Sequence, residues 1–68
     1  MTVEEFIKEL KPMVKYDKDR QLHYMGSTIL TNQEINVMLD MMLGDDYKTK
    51  SSRERTKIRQ RIFKELIE

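Results

Sequence analysis

The sequence predicts a small, mainly α-helical α+β domain, with three helices and a short β-hairpin between the first and the second helix. Three Ser/Thr-x-x-Glu patterns, which start at Thr2, Thr31 and Ser51, each precede apolar residues at helical spacing. This pattern is typical of a helix start, because the hydroxyl accepts from a free first-turn amide. Between the first two patterns lies a segment with the turn chemistry of a hairpin.

The first helix is predicted over residues ~2–11, with an alternative end at residue 14. Thr2 and Glu5 form the start signal, and apolar residues recur at i, i+3 and i+4 from Val3 onward. Pro12 interrupts the stripe. Because proline lacks an amide hydrogen and disfavours helix at the residue before it, the helix should stop near Leu10 or kink there.

The hairpin is predicted over residues ~20–30. A run at Leu22–Met25 and a second run at Thr28–Leu30 flank Gly26 and Ser27, a two-residue connection that suits tightly paired strands. An isolated hairpin is marginal in water, so it should lean on the helices. His23, the single histidine, is expected to be an ordinary strand residue.

The second helix is predicted over residues ~32–43 and should end at Gly44. It carries only Glu34 and Asp40 as charges and is apolar almost all round, which is typical of a helix that is buried centrally or shared with another chain. Its methionines suit an adaptable interface. A homodimer through this helix is therefore one expectation.

The third helix is predicted over residues ~52–67, after the Ser51–Glu54 start signal. Together the three helices supply the predicted core, which consists of Phe6, Ile7, Leu10, Ile35, Met38, Leu39, Met42, Ile58, Ile62, Phe63 and Leu66.

Length and composition limit the classes of protein that fit. The chain has 68 residues, no cysteine and one histidine, so we expect a single compact domain over 1–68 without disulfides, metal or cofactor. No apolar run is long enough to cross a membrane and no signal peptide is evident, which favours a cytoplasmic protein. With little room for a substrate pocket, the chain is predicted to be a non-enzyme.

The charge is distributed unevenly along the chain. Residues 1–46 carry five bases and nine acids, a net charge of about −4, whereas residues 47–68 carry eight bases and three acids, a net charge of about +5. The eight bases of the second segment are the predicted binding residues Lys48, Lys50, Arg53, Arg55, Lys57, Arg59, Arg61 and Lys64. Clustered Lys and Arg are the electrostatic signature of a nucleic-acid partner.

Two arginines do not fit simple amphipathicity. At about 100° per residue, one basic stripe lies opposite the apolar arc of the third helix, but Arg55 and Arg59 lie inside that arc. They are the candidates for base contacts, while first-turn amides with Ser51 and Ser52 form a predicted phosphate site. Alternatively, the helix is simply solvated, and the aliphatic parts of the Arg55 and Arg59 side chains lie on apolar neighbours.

Two functions of different class follow from these observations. The first is a non-enzymatic binding or regulatory module that contacts nucleic acid, DNA ahead of RNA, through the basic helix. The second is a small inhibitor or adaptor, of the kind that phages and mobile elements encode, which docks on an acidic surface of a host protein through its charged surface. A structural dimer with no ligand on the basic face is a third possibility.

Overall fold

The computed structural model describes residues 1–67, which form helices and one small antiparallel sheet of three strands. The elements, in chain order, are α1 (Val3–Leu10), a 3-10 turn (Lys11–Met13), β1 (Val14–Asp17), β2 (Leu22–Met25), β3 (Thr28–Ile29), α2 (Asn32–Leu43), α3 (Asp45–Lys48) and α4 (Ser52–Leu66). The predicted small α+β class is correct. Two elements, β1 and α3, were not predicted.

The predicted cap residues begin the three long helices. The Thr2 hydroxyl accepts from the Glu5 amide at 3.2 Å and the Glu5 carboxylate accepts from the Thr2 amide at 3.2 Å, which completes a capping box. Thr31 and Ser51 accept from the amides three residues later. Each contact satisfies an amide that the helix itself cannot pair.

Helix α1 ends at Leu10, two residues before Pro12, and the chain continues as the 3-10 turn. The shorter of the two predicted ends is therefore correct and the extension to residue 14 is wrong. Val14 instead begins a strand, in which it pairs with Met25. Proline ends the α-helical hydrogen bonding before the apolar stripe is exhausted.

The sheet is a meander with strand order β1-β2-β3, one strand more than the predicted hairpin. The two-residue connection is as expected, with Met25 paired to Thr28 and Gly26 at φ +64°. The β1–β2 turn is held by the Asp17 carboxylate, which accepts from the amides of Asp19 at 3.0 Å and Arg20 at 3.3 Å. A carboxylate in this position favours a turn by pairing with nearby amides.

Helix α2 buries one stripe only, formed by Ile35, Leu39 and Leu43. Met42 was predicted in the core but is 44% exposed, because it is rotated by about 100° from Leu43 on the helix. Gly44 ends the helix at φ +59°, a conformation that side chains disfavour.

The one-turn helix α3 places Tyr47 in the core, where no part of the side chain is exposed. The buried core consists of Phe6, Ile7, Leu10, Leu30, Ile35, Leu39, Leu43, Tyr47, Ile62 and Leu66. Met38, Ile58 and Phe63, which were predicted in the core, are half-buried against it. Leu30, Leu43 and Tyr47 are the members that the helical patterns did not identify.

Candidate functional site

A polar cleft of about 330 Å³ lies between the first turns of α2 and the first two turns of α4. Its lining consists of Asn32, Gln33, Asn36, Ser52, Arg55, Thr56 and Arg59. We call this the arginine cleft. Within the described chain its lining contains two guanidinium groups and no carboxylate, so the cleft is positively charged.

Arg59 lines the arginine cleft and donates hydrogen bonds to residues of α2, α3 and its own helix, α4. Its Nη1 donates to the Tyr47 hydroxyl at 2.7 Å and to Asn36 Oδ1 at 3.1 Å, while Nη2 donates to Thr56 Oγ1 at 3.2 Å. The Tyr47 hydroxyl donates in turn to Asn36 Oδ1 at 2.6 Å. The buried tyrosine thus has both a donor and an acceptor partner, as a buried hydroxyl requires.

The charge of Arg59 is not neutralised by these contacts. The three groups to which it donates are neutral, and the ion pairs found among residues 1–67 do not include it. Arg59 is half-buried, so water screens its charge less than that of a fully exposed base. Such a cation favours an anion in the cleft beside it.

Arg55 lies one turn before Arg59 and lines the same cleft. Its Nη2 donates to Ser52 Oγ at 3.4 Å, a long hydrogen bond that leaves most of the guanidinium donors available. Asn36 Oδ1 is occupied by Tyr47 and Arg59, so its amide nitrogen points away from them. The cleft therefore presents several donors and a double positive charge.

The two serines of the predicted phosphate site have different surroundings. Ser52 lines the arginine cleft. The Ser51 hydroxyl, by contrast, accepts from the Glu54 amide at 3.2 Å and donates to Glu54 Oε1 at 3.1 Å. The Ser51 hydroxyl is therefore used within the first turn of α4 as the cap.

Arg61 is held by carboxylates and not by the cleft. Its guanidinium contacts Glu4 at 3.1 Å and Glu65 at 2.9 Å, and these partners raise its pKa. The pKa of Glu4 is lowered by a hydrogen bond from the backbone and by Arg61. Arg61 therefore ties α4 to α1, and its charge is matched locally.

The remaining predicted bases do not line the arginine cleft. Four of them are exposed and one, Lys50, is half-buried; the exposed ones are Lys48, Arg53, Lys57 and Lys64. None of the five is in an ion pair with another described residue. The arginine cleft thus brings together Arg55, Arg59 and Ser52 out of the predicted set.

The other lining residues were missed by the sequence argument. Asn32, Gln33 and Asn36 come from the start of α2, and Thr56 from α4. No sequence pattern marks them. The placement of Arg55 and Arg59 inside the apolar arc was the one available signal, because it implied that something other than solvent faces them.

An apolar groove lies on another face, between α1 and α2. It has a volume of about 140 Å³ and is lined by Phe6, Glu9, Leu10, Met13, Met38, Met41 and Met42. Met41, although part of this lining, is 78% exposed. This face of α2 presents the large apolar side chains of Met41 and Met42 to solvent, although Met42 was predicted in the core.

No family model, curated protein or solved structure matches this chain. Across residues 1–67 no helix has the length and hydropathy needed to span a membrane. No group of three or more potential metal ligands was found in the same part of the chain. The functional inference therefore rests on the arginine cleft and the surfaces around it.

Proposed function

We propose that the protein is a non-enzymatic module that binds nucleic acid, DNA ahead of RNA, through the arginine cleft and the exposed bases of α4. One observation supports this above all. Arg55 and Arg59 share a cleft whose lining, within the described chain, contains no carboxylate. A phosphate group placed between two guanidinium groups forms charge-assisted hydrogen bonds with both.

Other bases of α4 add positive charge without lining the cleft. Arg53, Lys57 and Lys64 are exposed on the side of α4 opposite Arg55 and Arg59. Their charge attracts a phosphate backbone at longer range while one phosphate occupies the cleft. Phosphate contacts of this kind supply affinity and orientation, with little dependence on sequence.

Fluorescence anisotropy with labelled DNA at about 50 mM and about 200 mM salt tests the proposal. We expect binding that weakens steeply with salt. Arg55→Ala should lower the affinity several-fold and reduce the salt slope by about one. Lys8→Ala removes the same charge from α1, outside the cleft, and serves as the control.

If labelled DNA and RNA both fail to bind at about 50 mM salt, the proposal is refuted. The same holds if Arg55→Ala and Lys8→Ala change the affinity equally, because then only net charge matters. A small inhibitor or adaptor that docks on a host protein through its charged surface would then be the remaining candidate.

A second candidate function, self-association, is favoured by the groove on α2. Met41 lines the groove and is 78% exposed, so one face offers both a hole and a side chain that protrudes from its edge. A two-fold interface requires such self-complementarity, because each copy presents the same patch. The groove is about the size of cavities, near 150 Å³, that hold a benzene-sized group, so it can take one methionine.

Sedimentation at micromolar concentration tests the dimer. The wild-type chain should sediment as a dimer and Met41→Glu as a monomer, because a charge in a dry interface is costly. Lys11→Glu alters an exposed residue outside the groove lining and is the control. Monomers at all concentrations would remove this candidate without affecting the proposal for nucleic acid.

A further inference from the structure

A second cleft, of about 550 Å³, adjoins the arginine cleft further along α4. It is lined by Gln21, Leu22, His23, Ile29, Leu30, Thr31, Asn32, Gln60 and Phe63. Asn32 lines both clefts, so the two form a continuous surface past the start of α2. We call the second part the amide cleft.

The amide cleft differs from the arginine cleft in its chemistry. Its described lining contains no Lys, Arg, Asp or Glu, but it combines the Phe63 ring and Ile29, which is 43% exposed, with carboxamides. Gln21, Asn32 and Gln60 each carry donors and an acceptor. An apolar lining that includes an aromatic ring and is edged by such groups suits an unpaired nucleobase, which stacks on an aromatic side chain and pairs along its edge.

The spacing of the two clefts suits one nucleotide. Arg59 and Phe63 are four residues apart on α4, hence about 6 Å along the helix axis and on the same side. A phosphate held by Arg59 would therefore leave its own base, or a neighbouring one, within reach of Phe63. A base inside a duplex is stacked and paired, and cannot enter such a cleft without being flipped out.

Two features of the local backbone and packing fix the amide cleft. His23 is only 8% exposed, and the centroid of its ring lies 5.0 Å from that of Phe63 and 4.7 Å from that of Tyr16. Its Nε2 has no hydrogen-bond partner among the described residues. Gln21, the last residue of the β1–β2 turn, has φ +56° and is the one non-glycine residue in the described chain with a positive φ.

We propose that the ligand is a single-stranded nucleic acid, with a phosphate in the arginine cleft and an unpaired base in the amide cleft. This inference rests on the proposed function and specifies its ligand. The arginine cleft supplies affinity for any phosphate backbone, whereas the amide cleft discriminates between single strands and duplexes.

Three labelled probes of equal length test it by anisotropy at about 50 mM salt. They are a single-stranded DNA, the duplex that contains it, and the same single strand in which the bases are replaced by abasic residues. The abasic strand keeps the phosphates and loses the stacking. We expect it to bind about five-fold or more weakly than the intact strand, and the duplex likewise.

Two variants locate the effect in the amide cleft. Gln60→Ala changes an exposed residue, and Phe63→Leu keeps an apolar side chain against the core while removing the aromatic ring. Both should weaken binding of the intact strand and leave the abasic strand unaffected. Ile67→Ala, which removes exposed apolar surface from the same end of the chain but outside the amide cleft, should affect neither.

The outcomes separate this inference from the proposal on which it rests. If the duplex and the abasic strand bind as tightly as the intact strand, while Arg55→Ala and added salt still weaken all three, the single-strand inference is overturned and the proposed function stands. If none of the three probes binds at about 50 mM salt, and an RNA strand of the same sequence does not bind either, both are overturned. Circular dichroism is used to check that Phe63→Leu is folded. If Phe63→Leu fails to fold, Gln60→Ala alone provides the test.

Discussion

Replacing Tyr47 by phenylalanine removes one oxygen atom from the point at which three helices meet. Tyr47 belongs to α3, and its hydroxyl donates to Asn36 of α2 at 2.6 Å and accepts from Arg59 of α4 at 2.7 Å. The ring stays in the core. Tyr47→Phe therefore tests the hydrogen bonds without creating a large cavity.

The magnitude follows from the types of bond that are lost. A neutral hydrogen bond contributes about 1 kcal/mol net and one to a charged group about 1.5–3 kcal/mol. Asn36 Oδ1 and Arg59 Nη1 keep their mutual contact at 3.1 Å, so neither is left without a partner. We therefore expect a loss at the lower end of their sum, about 2.5 kcal/mol in the free energy of unfolding, which for a domain of this size lowers Tm by about 10–20 °C.

Urea denaturation followed by circular dichroism measures this loss as a lower midpoint at unchanged slope. Tyr16→Phe is the matched control, because it removes the same atom from a half-buried tyrosine whose hydroxyl has no hydrogen-bond partner among the described residues. It should change stability by less than about 0.5 kcal/mol. Equal midpoints for Tyr47→Phe and the wild-type chain would refute the reasoning that this hydroxyl holds the three helices together.

Three further predictions concern single residues. Gly44→Ala should lower the free energy of unfolding, measured by urea denaturation, by about 1–3 kcal/mol. The cost comes from the positive φ alone, since no atom lies within 4 Å of the added Cβ, and an unchanged free energy would contradict this. Burial lowers the pKa of His23 below 6.5, so the contribution of neutral His23 to stability is complete above pH 6.5 and is lost as the pH falls from there through the folded pKa. The variant His23→Phe should lack this pH dependence. A wild-type urea midpoint that is unchanged between about pH 7 and pH 5 would count against the prediction. Arg61→Ala should weaken DNA binding in the anisotropy assay less than Arg55→Ala, because Arg61 is already paired with carboxylates; the reverse order would show that the pairs yield to DNA.

The helices that depend on local chemistry were the ones the sequence could predict. Thr2, Thr31 and Ser51 cap their helices because the hydroxyl, the amide and the carboxylate involved lie within three residues of one another. Strand β1 was missed because Val14 continues the apolar spacing of α1. Val14 adopts a strand conformation because it pairs with Met25, eleven residues away. Short-range patterns cannot contain that information.

The candidate site was predictable in part for the same reason. The basic segment is visible in the sequence, and so is the unusual position of Arg59 on the helical wheel. Its partner, Tyr47, lies in a four-residue helix that has no periodic pattern of its own and is held by tertiary packing. The convergence of Asn36, Tyr47 and Arg59 from three helices depends on the whole fold.

The junction at the Tyr47 hydroxyl also has a consequence for the dynamics of α3. A one-turn helix is not stable alone, so the amides of α3 should exchange with solvent hydrogen through local opening as well as global unfolding. An anion that binds Arg59 stabilises the closed junction by mass action. Slower amide exchange at Tyr47 and Lys48 would therefore report occupancy of the arginine cleft from a helix that is not part of its lining.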